Sequence, residues 1–261
     1  MPVTAHAPGS VTIVFVPQDR DASLGVSFAT AGGATATVEK GGAEASVSLN
    51  GRPVHIAPVT GVLDRLGTTA TVRLETDVPI GCGFGVSGAA TLATALAVNE
   101  VQTLGHDRDE LVEASHRAEV AAGTGLGDVF VQERGGLVWN TGEGVKQIPR
   151  TDRIEYATYG GITTADVIGD DETIERVGRV GREALATLDP EGPLRDLFEA
   201  SWAFAERTGL ATERIAEDVR EARRADGAAT MAMLGETVVA AGTEGLLDHE
   251  TRITPTGAEL R

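Results

Sequence analysis

The sequence predicts an α+β fold, on three observations. Segments of alternating apolar and polar residues fill the first 80 positions, a glycine-rich loop follows at 79–90, and helical periodicity starts directly after that loop. The strand-like segments are 10–16, 34–38, 45–49 and 71–78, with Gly32-Gly33 and Gly41-Gly42 read as turns between them. Residues 89–104 are apolar on nearly all sides, as a central buried helix would be, and 109–122 has the acidic start of a second helix. A strand is expected at 136–140. The polar stretch 141–153 then marks a boundary, giving domains at 1–150 and 151–261. The second part reads as a strand at 155–159, a helix with Ile174, Val177, Leu185 and Leu188 on one face, and a longer helical region at 193–224. It ends with a strand at 236–240 and a polar tail. That order suits a small α+β sandwich.

Composition narrows the function. The chain of 261 residues carries 39 acidic against 22 basic side chains, a net charge of −17, and its only lysines are Lys40 and Lys146. Nucleic acid is therefore not an expected partner. Such acidity resembles proteins of salt-accumulating halophiles, where a Debye length of roughly 3 Å at 1 M salt screens self-repulsion. Cys82 is the single cysteine, which excludes an internal disulfide and a cysteine-rich metal site. No apolar run approaches a membrane span, and the first residues lack a basic start and an apolar signal region, so a cytoplasmic protein is expected.

The loop Pro79-Ile-Gly-Cys-Gly-Phe-Gly-Val-Ser-Gly-Ala-Ala90 carries the chemistry. Its glycines at 81, 83, 85 and 88 let backbone approach a ligand closely, and free amides at the following helix start favour an anion. Gly83 to Gly88 also fits the G-x-G-x-x-G spacing of dinucleotide sites. That reading requires a parallel strand after the helix, where the sequence instead offers a second helix. No Gly-Lys-Ser/Thr occurs, so a Walker loop is excluded; a purely structural glycine turn is the remaining alternative.

This loop resembles the central motif of the GHMP kinases, the superfamily of galactose, homoserine, mevalonate and phosphomevalonate kinases, which runs approximately P-x-G-x-G-L-G-S-S-A-A. Ala7-Pro-Gly-Ser-Val11 is similar to the family's A-P-G-K-V, and Thr124-Gly-Leu-Gly-Asp128 with Gly135-Gly-Leu is similar to its S-G-x-D…G-G segment. Within the superfamily the chain is most similar to the archaeal pantoate kinases. That likeness is carried by Ala7-Pro-Gly before a non-lysine, by Gly83-Phe-Gly-Val-Ser-Gly-Ala89, and by Met231-Ala-Met-Leu-Gly-Glu-Thr-Val238. The resemblance implies the GHMP kinase fold, with a ribosomal-protein-S5-domain-2-like N-terminal domain and a ferredoxin-like C-terminal sandwich. It also implies phosphorylation of pantoate to 4-phosphopantoate for coenzyme A biosynthesis, with ATP and Mg²⁺. The chain departs from the wider pattern at Ser10, where a lysine often stands.

Residue roles follow from the same resemblance. Pro79, Gly81, Gly83, Phe84, Gly85, Val86, Ser87, Gly88 and Ala89 would hold the nucleotide, and Ser87 and Glu119 would hold Mg²⁺. Asp128 would accept or orient the proton of the reacting hydroxyl, completing a catalytic set with Glu119 and Ser87. The residues themselves suggest the substrate contacts: His116 shares a helix face with Glu119, Ser23 and Thr164 are hydroxyl donors in glycine-flanked segments, and Arg134 or another arginine would pair with a substrate carboxylate. A different small hydroxy acid or amino acid as acceptor, and a non-catalytic nucleotide sensor on the same fold, are the alternative readings. A homodimer is the default assembly.

Overall fold

The computed structural model describes residues 1–18, 22–42, 44–142, 144–161 and 171–261. The first part contains β1 (Val3–Gln18), β2 (Ala22–Lys40), β3 (Ser46–Leu49), β4 (Arg52–Pro53), α1 (Ala57–Arg65), β5 (Ala70–Thr76), α2 (Val86–Gln102), α3 (Arg108–Ala122), α4 (Asp128–Arg134), β6 (Leu137–Asn140) and β7 (Val145–Ile148). The second contains β8 (Arg153–Gly161), α5 (Asp171–Leu185), α6 (Leu194–Thr208), α7 (Glu213–Arg224), β9 (Ala228–Met231), β10 (Gly235–Ala241), β11 (His249–Arg252) and β12 (Glu259–Leu260).

Two sheets result. The first runs β12-β1-β2-β5-β3-β4, with β6 pairing β2 and β7 pairing β6; the second runs β11-β8-β10-β9. Among these pairs only β3 with β5 is parallel. The pair Gly32-Gly33 is not the expected turn. It lies inside β2, where the register to β1 shifts between Pro8 and Gly9. A Cβ on Gly33 would stand 2.2 Å from the Ala7 carbonyl oxygen, so the glycine permits a bulge and strand continuity wins over turn propensity. The irregularity lets one strand serve two neighbours: Gly25–Phe28 pairs with β6, and Ala34–Lys40 with β5.

Three further expectations need correction. The helical region at 193–224 is two helices, because Gly209 ends α6 in a left-handed conformation (φ +77°) and Thr212 caps α7 by accepting from the Ile215 N–H. The polar stretch 141–153 contains β7, and the polar tail contains β11 and β12, the latter pairing with β1 of the first sheet.

Helix α2 is buried along nearly its whole length, and its many alanines let it lie close to the first sheet. Asp107 and Glu110 form a capping box that fixes the start of α3. The two layers share one core. Phe15 of β1 meets Phe204 of α6 edge-on at 5.6 Å, and Phe28 of β2 stacks on Phe198 of the same helix at 6.1 Å. Among the described residues no helix is long and apolar enough to cross a membrane.

Glu155, buried in β8, organises the turn after β10. It accepts from the backbone N–H groups of Leu246 at 3.0 Å and Leu247 at 3.3 Å, from Gly245, and from the Thr243 hydroxyl at 3.0 Å. Burial pushes its carboxyl upward, but these donors outweigh burial and the net shift is downward. A lowered carboxyl stabilises the fold above its unfolded value, and that contribution is lost as pH falls through the folded value. Glu155→Gln is therefore expected to cost about 1.5–3 kcal/mol in urea unfolding at pH 7. The difference should shrink as the wild-type carboxyl is titrated in acid.

Candidate active site

The glycine loop is seated by backbone contacts from three separate segments. The Ser10 N–H donates to the Phe84 carbonyl at 2.8 Å. A Cβ on Gly83 would stand 2.5 Å from the Ala232 carbonyl oxygen, one on Gly235 2.2 Å from the Cys82 carbonyl carbon, and one on Gly161 2.6 Å from the Gly81 carbonyl oxygen. The segment 231–238 therefore props the loop from below. Phe84 adds an edge-on contact with Tyr156 of β8 at 4.9 Å, tying the loop to the second sheet.

Gly85, at φ +57°, is the N-cap of α2, so Val86, Ser87, Gly88 and Ala89 form the first helical turn. No side chain caps this end. Gly85, Val86 and Ser87 line a cavity of about 880 Å³, which gives their free amides access to an anion. Because α2 is followed by α3 and not by a parallel strand, the dinucleotide arrangement is absent from this part of the fold.

Two carboxylates flank the loop. Glu119 of α3, 2% exposed, accepts from Ser87 Oγ at 3.0 Å and Thr91 Oγ1 at 2.8 Å through Oε1, and from Thr124 Oγ1 at 2.7 Å through Oε2. Burial raises its carboxyl above the usual range; these three hydroxyls oppose the shift and Asp128 adds to it. Asp128 is the first residue of α4 and faces the cavity, with Oδ1 accepting from Ser10 Oγ at 2.7 Å. Burial raises it too, against the Ser10 hydroxyl. Asp128 Oδ2 and Glu119 Oε2 each lie 3.4 Å from the point a Cβ on Gly125 would occupy, so a glycine there keeps the space between them open. At Ser10 the departure from the family pattern means a neutral hydroxyl, not a cation, contacts Asp128.

An all-oxygen set of one hydroxyl, one carboxylate and nucleotide phosphates fits Mg²⁺, which usually keeps waters and takes only one or two protein carboxylates. The described residues contain no cluster of three acidic, histidine or cysteine ligands.

Of the substrate residues expected from sequence, Ser23 and Arg134 line the cavity with Asp128. Arg134 is the one arginine or lysine among the described lining residues; it donates to the Phe130 carbonyl at 3.1 Å and lies 3.6 Å from Glu133. His116 is buried behind the wall: its ring packs on Phe130 at 4.8 Å and its Nδ1 has no hydrogen-bond partner. Thr164 lies outside the described residues. Pro79, Phe84, Gly88 and Ala89 shape the loop without lining the cavity. Sequence reasoning overlooked Thr91, Thr124 and Gln132. Thr91 stands four residues after Ser87 and Gln132 four after Asp128, so helical spacing could have flagged both.

Residues 56–136 match the family model for the GHMP kinases N terminal domain. The pantoate kinase of Methanocaldococcus jannaschii is 28% identical over 89% of this chain and 90% of its own length. The homoserine kinase of Haloarcula marismortui is 30% identical over 71% of this chain and 68% of its own. The chain belongs to the GHMP kinase family. Among solved structures, one described as a phosphotransferase related to the CoA biosynthesis pathway superposes with a TM-score of 0.84 at 24% identity, covering 100% of this chain and 99% of that one. The two sheets and helices are thus those of the GHMP kinase fold, and as a GHMP kinase the protein takes ATP as phosphoryl donor.

The two raised carboxyls have a stability consequence. Folding opposes their ionised forms above the raised values, and the penalty disappears as pH falls below the unfolded values. Asp128→Asn should therefore raise the thermal midpoint in metal-free buffer at neutral pH by about 2–4 °C, the shift of a ~1 kcal/mol gain in a chain of this size. The gain should vanish in acid; calorimetry across pH checks it.

Proposed function

We propose that this GHMP kinase transfers the γ-phosphoryl group of ATP to the terminal hydroxyl of pantoate, giving 4-phosphopantoate for coenzyme A biosynthesis. The observation that carries the reading is one cavity that holds the glycine loop, the Asp128 carboxylate and Arg134 within walls that are mostly apolar. Pantoate has matching parts: a terminal hydroxyl, two methyl groups on the adjacent carbon and a carboxylate. The likeness to a pantoate kinase along most of both chains supports the same choice.

In this reading the amides of Gly85, Val86 and Ser87, with the rest of the loop from Pro79 to Ala89, cradle the phosphates. The apolar side walls at Ile56, Pro58 and Ile80 accept the base. Ser87 and Glu119 hold Mg²⁺, which neutralises charge on the transferring group when bound. Phosphoryl transfer has a loose transition state, so positioning of the hydroxyl by Asp128 matters more than its basicity. Arg134 pairs with the substrate carboxylate and Ser23 donates a hydrogen bond. His116 does not reach the cavity and acts only through its packing under Phe130, and Thr164 remains a candidate hydroxyl donor from its glycine-flanked segment. Residues 1–150 make up the nucleotide-binding part and 151–261 the second part, except that its last strand, β12, returns to the first sheet. We place the enzyme in the cytoplasm, as a homodimer whose acidity suits a saline interior.

The test is ADP release at high salt with Mg²⁺ and ATP, across pantoate, mevalonate, homoserine and shikimate. Pantoate should be turned over. No turnover of pantoate with clear turnover of another acceptor would contradict the substrate assignment. Asp128→Ala should lower kcat by about 10²–10⁴-fold, with the KM for ATP little changed. Full retained activity would remove Asp128 from the reaction.

A further inference from the structure

Gln132 has no part in the reaction as derived so far, yet it is fully buried where three segments of the site meet. Its Nε2 donates to the Gly85 carbonyl at 2.6 Å, at the start of α2, and lies 3.4 Å from Ser10 Oγ. Ser10 in turn donates its proton to Asp128 at 2.7 Å. A hydroxyl has one proton to give and lone pairs to receive. An N–H aimed at the Ser10 oxygen therefore leaves that proton directed at Asp128. Gln132 and Asp128 are four residues apart on α4, so the amide that holds the loop belongs to the same rigid turn as the carboxylate.

The surroundings reserve space for this amide. A Cβ on Gly85 would stand 2.8 Å from Nε2, and one on Gly88 2.9 Å from Oε1. Gly88 thus leaves room for the Gln132 side chain that a Cβ there would crowd. Oε1 itself is buried without a partner. An unpartnered buried acceptor is destabilising, and an apolar side chain of the same volume would avoid it. The side chain thus carries a cost at Oε1 while its two contacts at Nε2 go to the loop and to the Ser10 hydroxyl.

We propose that Gln132 is a positioning residue for phosphoryl transfer: it clamps the phosphate loop at Gly85 and fixes the Ser10 hydroxyl on Asp128, holding loop and proton acceptor at one separation. The identity of the reacting groups rests on the kinase reading; the clamp itself does not.

The test pairs kinetics with amide hydrogen exchange. Gln132→Met keeps volume and removes both hydrogen bonds. With whichever acceptor the wild type phosphorylates, kcat should fall by about tenfold to a hundredfold while both KM values and the thermal midpoint stay near wild type. Ser10→Ala should also lower kcat, and the double variant should lose less than the product of the two single losses. Gln132→Asn retains the amide but is one methylene short of Gly85, so it should behave like Gln132→Met and serves if that variant does not fold. Unchanged kcat, or a loss shared by kcat, both KM values and the thermal midpoint, would overturn the proposal. Exchange at residues 81–88, measured without substrate, should quicken by about tenfold in Gln132→Met relative to the rest of α2. Unchanged exchange there would also overturn the clamp, whatever the acceptor.

Discussion

Gly83 lies so close to the Ala232 carbonyl that a Cβ would stand 2.5 Å from its oxygen, and Gly235 is pressed as tightly against Cys82. This backbone-to-backbone seat is what the rest of the site depends on. A loop with left-handed glycines at 81, 83 and 85 has many conformations open to it when free. Here β1, β8 and the segment before β10 leave it one. The entropy of ordering is met during folding, so the amides at the start of α2 are already aimed into the cavity when an anion arrives. The second layer of the fold thus shapes the glycine loop, although none of the loop's own residues comes from it.

The electrostatics are unusual for a site that handles phosphate. Among the described residues the loop is flanked by two carboxylates, and the cavity wall offers Arg134 as its one guanidinium. With a hydroxyl at Ser10 in contact with Asp128, burial is free to raise that carboxyl. Glu119 is raised for the same reason, and its three hydroxyl neighbours are donors that could turn to a cation's other ligands. Burial disfavours the ionised form of both carboxyls, and a divalent cation beside them would favour it.

Much of this was legible in the chain. The alternation at 10–16 and 71–78, the apolar run after 89 and the acidic start before 110 correspond to β1, β5, α2 and α3, because each pattern is local and agrees with its tertiary setting. The glycine loop with Ser87, Glu119 and Asp128 was visible through motif spacing. What was not legible depends on partners distant in sequence. Gly32-Gly33 has the composition of a turn, and only its pairing with Ala7 to Gly9 makes it a bulge. The break at Gly209 hides inside a continuous helical period, and β7 is short and polar, recognisable only beside β6. In the site, Gln132 and Thr91 sit at helical spacing from recognised residues, but their relevance comes from Gly85 and Glu119, which lie 47 and 28 residues away.

In the proposed function the amides opening α2 hold nucleotide phosphates beside Asp128. A crystal structure with Mg²⁺ and a non-hydrolysable ATP analogue tests it most directly. The expected result is the terminal phosphate on the amides of Gly85 to Ser87, with Ser87 and Glu119 as the residues that would hold the cation and Asp128 open toward the acceptor end of the same cavity. Nucleotide bound elsewhere, or phosphates at the loop with the cation remote from Glu119, would contradict it.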